Sequence, residues 1–167
     1  MGGRQAGVIG ALSMLSMRHE ILRAVSYSDD LKEILNIFNI PMNKSINDKD
    51  FIEDLKKVDL LISVHGREIV KKDILKLPKY GAINLHPYLY KYKGADPIGR
   101  ALKDKNFKAS VGAHFMTEEA DEGEVLIEEF IDVSGSESVT AIYNMLYPYY
   151  SKVLLSAILK VQNEIIK

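Results

Sequence analysis

The stretch that decides the fold is GAINLHPYLYKYKG, residues 81–94. Its beginning, GAINL (81–85), is a short apolar run that predicts a strand of a buried sheet. Asn84 and His86 break the apolar pattern where that strand ends, and a loop rich in tyrosine and lysine follows. A fully buried strand would not tolerate these two polar side chains, and a turn needs neither. The stretch therefore predicts a strand that delivers polar groups to a crevice.

Strands and helices alternate on both sides of this stretch. The other strands are predicted over 20–28, 60–64, 109–116 and 124–133. Helices are predicted over 8–17, 30–38, 49–58, 67–75, 98–104 and 138–167. The alternation predicts an α/β fold with a mainly parallel sheet, helices on both faces and an antiparallel pair late in the chain. Ligands of such sheets bind beyond the carboxyl ends of the strands, where the loop after residue 85 lies.

The composition is that of an ordinary globular protein and predicts one domain over 1–167, with 47% hydrophobic and 27% charged residues. The formal net charge of -1 provides no basic footprint, so no nucleic-acid partner is expected. The absence of cysteine excludes disulfides and thiolate metal sites and fits a cytoplasmic location. No apolar run approaches the roughly 20 residues of a membrane span, so no membrane partner is expected.

Asn84 and His86 are two residues apart, so both side chains point to the same side of an extended strand. An amide can donate a hydrogen bond to an oxygen that gains negative charge, and an imidazole can move a proton near neutral pH. The alternative is structural: the asparagine satisfies a turn and the histidine is partly exposed. The spacing of these two residues alone favours the structural alternative.

A carboxylate candidate, Asp121, lies in the loop TEEADEGEV (117–125), two residues before Gly123. Glycine at that position allows the backbone to bend tightly and close on a ligand. Taken alone, the D-x-G pattern between two strands is a common turn. A calcium loop is a weaker alternative, because the EF-hand spacing is absent and glutamates dominate.

Together, these motifs resemble those of the folate-dependent formyltransferases, the family of the glycinamide ribonucleotide, methionyl-tRNA and sugar-amine enzymes. Their order is N-x-H-P, an aromatic loop, K-G-x-x-P, and G-A-H-F-x(5)-D-x-G ahead of a strand. The match runs from about Asp59 to Val133, nearly half of the chain. The resemblance implies the Rossmann-like formyltransferase fold.

The resemblance also implies formyl transfer from 10-formyltetrahydrofolate to an amine, with Asn84, His86 and Asp121 as the catalytic set. The amine would attack the formyl carbon to form a tetrahedral intermediate. Asn84 and protonated His86 would stabilise its oxyanion. Asp121 would orient His86, raise its pKa and help to carry away the proton of the amine. No metal is required.

A folate site is implied as well, and its candidate residues are Glu68, Ile69, Val70, His114 and Gly123. In the family, backbone just after the strand at 60–64 holds the pterin ring, and residues 69 and 70 would add an apolar wall. The alternative is that residues 68–70 belong to a short helix with buried faces. His114 matches a recurrent family histidine that supports the site. His19 and His65 are expected to be structural or surface residues.

The loop at 86–94 departs from the family pattern, with Tyr88 in place of serine, Tyr90 in place of leucine and Lys91 in place of proline. One interpretation is that both tyrosines stack on a planar substrate while a lysine of the loop meets a phosphate. The other is a solvated loop whose tyrosines pack on the fold. The candidate acceptor-binding residues are Tyr88, Tyr90, Lys91 and Gly94.

The front of the chain departs from the family differently. A strand precedes the glycine turn in the family, and here GGRQAG (2–7) would be that turn, with a helix N-terminus and Arg4 available to an anion. The sheet is therefore expected to lack its first strand, through a late start, a shortened chain or a reorganised sheet. An unpaired sheet position invites self-association, so a homo-oligomer is considered.

Three hypotheses for the function follow. The first is a formyltransferase whose acceptor is a small amine, such as a nucleotide sugar or a phosphorylated glycinamide, with hydrolysis as a close variant. Transfer RNA is not expected, because the charge is near neutral and the methionyl-tRNA enzyme carries a further domain. The second is a catalytically impaired folate- or nucleotide-binding module of the same fold. A dinucleotide binder is the poorest, since no G-x-G-x-x-G follows a strand.

Overall fold

Two short sheets form the middle layer of the fold, and the structure, a computed structural model, describes residues 1–165. The strands are β1 (Ala24–Val25), β2 (Met42–Asn43), β3 (Leu61–Val64), β4 (Ala82–Pro87), β5 (Lys108–Phe115) and β6 (Val125–Asp132). The helices are α1 (Arg4–Ser16), α2 (Asp29–Ile37), α3 (Lys49–Leu55), α4 (Lys72–Leu75), α5 (Pro97–Lys103) and α6 (Val139–Ile165). The last two residues of the helix predicted over 138–167 lie outside the described residues.

The larger sheet has the order β3-β4-β5-β6, and the smaller sheet pairs β1 with β2. The β1–β2 and β3–β4 ladders are parallel, whereas β4–β5 and β5–β6 are antiparallel. The predicted α/β fold is confirmed. One antiparallel pair was predicted late in the chain, and the structure has two, β4–β5 and β5–β6. β5 enters the sheet beside the end of β4, where Val111 pairs with Pro87, so the chain returns antiparallel to β4.

Helices cover both faces of the larger sheet, as predicted. Ile83 of β4 and Val111 of β5 pack in the same buried cluster as the apolar stripe of α6. Ala82 packs on the opposite face, in a cluster with Leu55 of α3. Because side chains alternate along a strand, the even-numbered residues of β4 all share the α3 face. This alternation places the polar end of β4 away from α6.

Two predicted elements are shorter than expected. The strand predicted over 20–28 contains only Ala24–Val25, because β1 has a partner strand on one side and only a single bridge on the other. The helix predicted over 67–75 contains only α4. Its first part is a loop that is held by side-chain contacts, since Glu68 accepts a hydrogen bond from the hydroxyl of Tyr27 at 2.8 Å.

The first residues of the chain lie between the two sheets. Gly2 forms parallel bridges with Ser26 after β1 and with Val64 of β3. The N–H of Gly2 donates to the carbonyl oxygen of Val25 at 3.0 Å, and the N–H of Val64 donates to that of Met1 at 3.0 Å. Behind Gly2, a cavity of about 350 Å³ separates β1 from β3.

Two buried basic groups make the stability of this 167-residue chain depend on pH. Burial lowers the pKa of the Met1 amino group from 8.0 to about 5, and it lowers the pKa of His65 from 6.5 to about 4. The unfolded chain therefore binds more protons than the folded chain in mildly acidic solution, so stability falls as the pH drops from 8 towards 5. We expect the free energy of unfolding in urea to decrease by about 5 kcal/mol over this range, about 3 from the Met1 amino group and about 2 from His65.

A chain acetylated at Met1 is the control for this prediction, because it has no terminal amine to titrate. We expect acetylation to remove the larger part of the decrease between pH 8 and pH 6, since His65 titrates only at lower pH. Equal stability of the unmodified chain at pH 8 and pH 5 would contradict the burial of both groups.

Candidate active site

Three polar side chains that are distant in sequence converge at the carboxyl end of β4. Nε2 of His86 lies 3.1 Å from Oδ2 of Asp121. Nδ2 of Asn84 donates to Oδ1 of the same carboxylate at 3.3 Å. The side chains of Asn84 and His86 share one face of β4, as the two-residue spacing predicts, and the loop between β5 and β6 brings Asp121 to them. Two of the residues predicted to form the catalytic set, Asn84 and His86, thus both contact the third, Asp121.

The position of Asp121 depends on a tight turn against β5. Its backbone is left-handed, with φ of 58°, a conformation that aspartate tolerates better than most residues. A Cβ atom on Gly123 would lie 1.7 Å from the carbonyl oxygen of Phe115, so only glycine fits there. Gly123 therefore shapes the turn that presents Asp121, and its predicted contact with folate stays a prediction.

Replacing Gly123 by alanine should displace this turn, because the carbonyl that the new methyl group meets belongs to the backbone of β5. We expect the free energy of unfolding to fall by about 3 kcal/mol, measured by urea denaturation. Gly135→Ala is the matched control. Gly135 has a positive φ of 83° but open space around it, so alanine there should cost only about 1 kcal/mol. Equal losses in both variants would contradict the close approach at Phe115.

A second histidine, His114, contacts both Asn84 and Asp121. His114 is 1% exposed, and its Nδ1 lies 2.8 Å from the carbonyl oxygen of Phe115. A carbonyl oxygen only accepts, so Nδ1 carries the hydrogen. Nε2 lies 3.3 Å from Nδ2 of Asn84 and 3.2 Å from Oδ1 of Asp121. It accepts from the amide when neutral and donates to the carboxylate when protonated, which holds both catalytic candidates in place.

Gly94 closes the site from the loop that follows β4. Its N–H donates to Oδ2 of Asp121 at 2.7 Å, and its carbonyl oxygen lies 3.0 Å from Nε2 of His86. Its φ of 79° favours glycine. Next to it, Lys93 forms an ion pair with Glu122 at 2.5 Å, which ties this loop to the Asp121 turn. The pairing joins residues 29 positions apart in the chain, so no local sequence pattern indicates it.

The tyrosines of the same loop pack on the fold. Tyr88 is 0% exposed and donates its hydroxyl to the carbonyl oxygen of Asn106 at 3.1 Å, so the prediction that it stacks on a substrate is wrong. Tyr90 packs its ring 5.3 Å from that of Phe130 and donates its hydroxyl to the carbonyl oxygen of Lys108. It thus lies towards the start of β5, away from the catalytic candidates at the end of that strand. The acceptor contact predicted for Lys91 stays a prediction.

The predicted folate stretch after β3 is a loop, and its three side chains point in different directions. Val70 is only 3% exposed and belongs to the core, so the predicted apolar wall of two residues is wrong. Ile69 is 81% exposed and is the apolar side chain of this stretch that a ligand can reach. Glu68 accepts from the hydroxyls of Tyr27 and Ser45, at 2.8 and 2.5 Å. Its carboxylate joins the loops after β1, β2 and β3.

Burial sets the charge of the site. It lowers the pKa of His86 and outweighs the opposite effect of the nearby Asp121, so the expectation of a raised histidine pKa is wrong. Burial works against ionisation of Asp121, but hydrogen bonding from His114, the charge of His86 and the N–H of Gly94 outweigh it and lower its pKa to about 2. A neutral imidazole therefore faces a carboxylate at neutral pH. Its Nδ1 is buried and has no hydrogen-bond partner among residues 1–165.

Two features are absent from the part of the chain that the structure describes. Residues 1–165 contain no cluster of three or more histidine, aspartate or glutamate side chains arranged to hold a metal ion. Within the same range, no helix combines the length and apolar character needed to cross a membrane. The side chains that meet at the end of β4 supply N–H groups, from Asn84 and His86, and the carboxylate of Asp121.

Comparison with known proteins identifies relatives of this chain. The family model described as "Formyl transferase" matches residues 33–158. The methionyl-tRNA formyltransferase of Fusobacterium nucleatum is 29% identical over 141 residues, which cover 81% of this chain and 45% of that protein. The bifunctional polymyxin resistance protein ArnA of Wigglesworthia glossinidia brevipalpis is 28% identical over 160 residues, which cover 85% and 24%. The chain thus spans less than half the length of these two curated relatives.

A solved structure shares the fold. Phosphoribosylglycinamide formyltransferase from Bacillus halodurans superimposes with a TM-score of 0.81, and the alignment covers 98% of this chain and 94% of that one. The sequence identity over the superposition is 15%. At this identity, the superposition shows only that the two proteins share the architecture of sheet and helices.

Proposed function

The chain belongs to the formyl transferase family, and we propose on that premise that it transfers a formyl group to the amine of a small acceptor. The family uses 10-formyltetrahydrofolate as the formyl donor. The observation that carries the proposal is that Asn84 and His86 each place a nitrogen atom within 3.3 Å of the carboxylate of Asp121. The three side chains meet at the carboxyl end of β4, the end at which open sheets of this type bind ligands.

Two donors of the site suit an oxygen that gains negative charge. The amide of Asn84 carries two hydrogens on Nδ2, and Nε2 of neutral His86 carries one, because both of its neighbours are acceptors. 10-Formyltetrahydrofolate, when bound, supplies the carbonyl group that an amine attacks. The two N–H groups would turn from their resting partners, Asp121 and the carbonyl of Gly94, towards that oxygen. Fixed donors in a buried site stabilise such charge strongly.

The carboxylate serves the other half of the reaction, in which the amine must lose a proton. Asp121 is ionised at neutral pH and is held by the N–H of Gly94 at 2.7 Å. It would help to remove that proton, directly or through a water molecule, and would stabilise His86 whenever the imidazole becomes protonated. The amide of Asn84 donates to the other oxygen of Asp121 at 3.3 Å and helps to fix the carboxylate in this position. These roles require no metal ion.

Two observations support binding of the donor at this end of the sheet. Ile69, 81% exposed in the loop after β3, offers an apolar contact for a planar ring. The buried Nδ1 of His86 has no partner among the described residues, which is a polar atom that a bound molecule or water could satisfy. Residues 69 and 86 lie in the loop after β3 and at the end of β4, which are adjacent in the sheet.

A small acceptor is favoured over tRNA because the formal net charge of the chain is -1. Recognition of a nucleic acid backbone depends on clustered lysine and arginine, which a near-neutral chain supplies poorly. The proposed acceptors are therefore amines such as a nucleotide sugar or a phosphorylated glycinamide. Methionyl-tRNA is the competing acceptor, since the methionyl-tRNA formyltransferase of Fusobacterium nucleatum shares 29% identity with this chain.

The test is a panel of acceptors offered together with 10-formyltetrahydrofolate: a phosphorylated glycinamide, a nucleotide-linked amino sugar, methionyl-tRNA and no acceptor. We expect formylation of a small amine, detected by mass spectrometry. Formylation of methionyl-tRNA alone would overturn the small acceptor, and formate released without any acceptor would identify hydrolysis. Folate binding in calorimetry without any turnover would identify an impaired binding module instead.

A further inference from the structure

One carboxylate, that of Glu68, joins the loops that follow β1, β2 and β3. Its Oε1 accepts hydrogen bonds from the hydroxyl of Tyr27 at 2.8 Å and from the N–H of Ile46 at 3.3 Å. Its Oε2 accepts from the hydroxyl of Ser45 at 2.5 Å. The first partner lies in the loop after β1, the other two lie in the loop after β2, and Glu68 itself follows β3. We call these three contacts the Glu68 clamp.

The partners of the Glu68 clamp are themselves held in place. The hydroxyl of Ser45 accepts from the N–H of Asn47 at 3.1 Å, so its own hydrogen is left for Glu68. The N–H of Ser45 donates to Oδ2 of Asp48 at 3.2 Å, which fixes the turn around it. Ile46 is fully buried in the core, so its N–H cannot move without disturbing the packing. The carboxylate therefore meets donors whose positions are already set.

The clamp determines how Ile69 is presented. The residue before it, Glu68, is held by the three hydrogen bonds of the clamp. The residue after it, Val70, is buried in the same core cluster as Ile46. With both of its neighbours anchored inwards, Ile69 stays exposed in the loop after β3. The position of this exposed side chain thus depends on the carboxylate of the preceding residue.

The loop that carries Ile69 runs beside the catalytic candidates. Val64, the last residue of β3, pairs in parallel with Leu85, the residue before His86. The chain that leaves β3 therefore enters the region next to His86. A planar donor that brings its formyl group to His86 would have this loop at its side. A shift of the loop should change how well the donor binds, while the side chains that perform the chemistry stay where they are.

We propose that Glu68 is a positioning residue for the formyl donor, because its carboxylate holds the loop after β3 in the shape in which Ile69 meets the planar ring. Glu68 has this role only if the proposed formyl transfer is correct, on which the inference rests. Both oxygens of the carboxylate are used within the protein, so Glu68 acts through Ile69. It should therefore influence the affinity for the donor and leave the rate of the chemical step nearly unchanged.

The test compares Glu68→Ala with Glu68→Gln. Alanine removes all three contacts of the clamp, whereas the amide of glutamine can still accept from Tyr27 and Ile46 and can donate to the hydroxyl of Ser45. We expect alanine to raise the KM for 10-formyltetrahydrofolate and the Kd for tetrahydrofolate at least about tenfold. The kcat with the acceptor that the panel identifies should stay within about threefold. Glutamine should return the KM and the Kd to within about threefold of the unmodified chain.

Two further variants complete this comparison. Glu33→Ala is the matched control, because Glu33 is an exposed glutamate on α2, and its Kd should stay within about twofold of the unmodified chain. Tyr27→Phe removes a single hydrogen bond of the clamp and should raise the Kd by about threefold. Amide hydrogen exchange reports on the clamp without any ligand. The N–H of Ile46 should exchange at least about tenfold faster in Glu68→Ala than in the control, because it loses its acceptor.

Several results would overturn the role of Glu68. One is a KM and a Kd of Glu68→Ala within about twofold of those of an unmodified chain that binds folate. Another is a Glu68→Gln variant as impaired as Glu68→Ala, since the charge of the carboxylate would then act on the donor directly. If the unmodified chain binds no folate, the proposed formyl transfer fails, and the positioning role fails with it even where exchange at Ile46 confirms the clamp.

Discussion

The variant His86→Ala is expected to lower kcat/KM for formyl transfer by about a thousandfold. Nε2 of His86 is one of the two donors that point into the site, and its partner carboxylate lies 3.1 Å away. Removing the ring takes away the donor and leaves the carboxylate of Asp121 without this partner. The measurement is steady-state kinetics with 10-formyltetrahydrofolate and the acceptor that the panel identifies.

Two controls separate chemistry from structure in this variant. Folate affinity by calorimetry should fall by no more than about tenfold, because the variant removes Nδ1 of His86 but leaves Ile69 and the loop after β3 untouched. Added imidazole should restore part of the rate, since the alanine leaves a space of the shape of the ring. A value of kcat/KM within about threefold of the unmodified chain would remove His86 from the catalytic set.

The second large effect is expected for Asp121→Asn, with a loss of about a hundredfold or more in kcat. The carboxylate accepts from Gly94 and Asn84 and faces both histidines, and an amide can accept at only one of its two atoms. The negative charge of Asp121 also raises the pKa of His86 against the effect of burial. The pKa of His86 should therefore fall further in the variant, which NMR titration of its ring protons can follow.

Glu119→Gln is the matched control for the loss of the carboxylate. Glu119 is exposed, lies two residues away in the same loop and carries the same charge. We expect its kcat to remain within about twofold of the unmodified chain and the titration of His86 to stay unchanged. Similar losses of kcat in both variants would mean that Asp121 acts only through the overall charge of the loop.

The order of strands and helices was predictable from the sequence because apolar periodicity and turn residues are local signals. The catalytic candidates were predictable for a different reason. Asn84 and His86 share a strand face by their spacing alone, and the motif that carries Asp121 ends in a glycine for which the structure has a steric need at Phe115. The convergence itself is a tertiary property, which the resemblance to a family indicated and the strand spacing could not.

Other features depended on burial, which a single sequence does not reveal. Tyr88 looks the same in a sequence whether its ring faces a substrate or, as here, lies 0% exposed beneath the loop. The predicted direction of the pKa shift of His86 was wrong. The side chain is only 9% exposed, and its desolvation lowers the pKa by more than the charge of the neighbouring carboxylate raises it. Val70 was predicted to line a ligand site because the same types of apolar residue occur in cores and in binding sites.

The turn at Gly94 was predictable from the sequence, but its contacts with the site were not. A glycine that ends an aromatic loop predicts a turn, and its positive φ confirms that need. Its hydrogen bonds to Asp121 and from His86 arise because the loop folds back over β4. The buried side chains of Tyr88 and Leu89 hold the loop in this path over β4, so the loop serves mainly to close the site.

The most direct test of the account is a double-variant cycle of His86→Ala and Asp121→Asn, with kcat/KM for formyl transfer measured in all four chains. Because the two side chains contact each other at 3.1 Å and Asp121 also acts through His86, Asp121→Asn should cost less once His86 is gone, and only its own part in removing the proton of the amine should remain. We expect the loss in the double variant to be at least about tenfold smaller than the product of the two single losses. Losses that multiply would contradict it, because the two residues would then contribute independently.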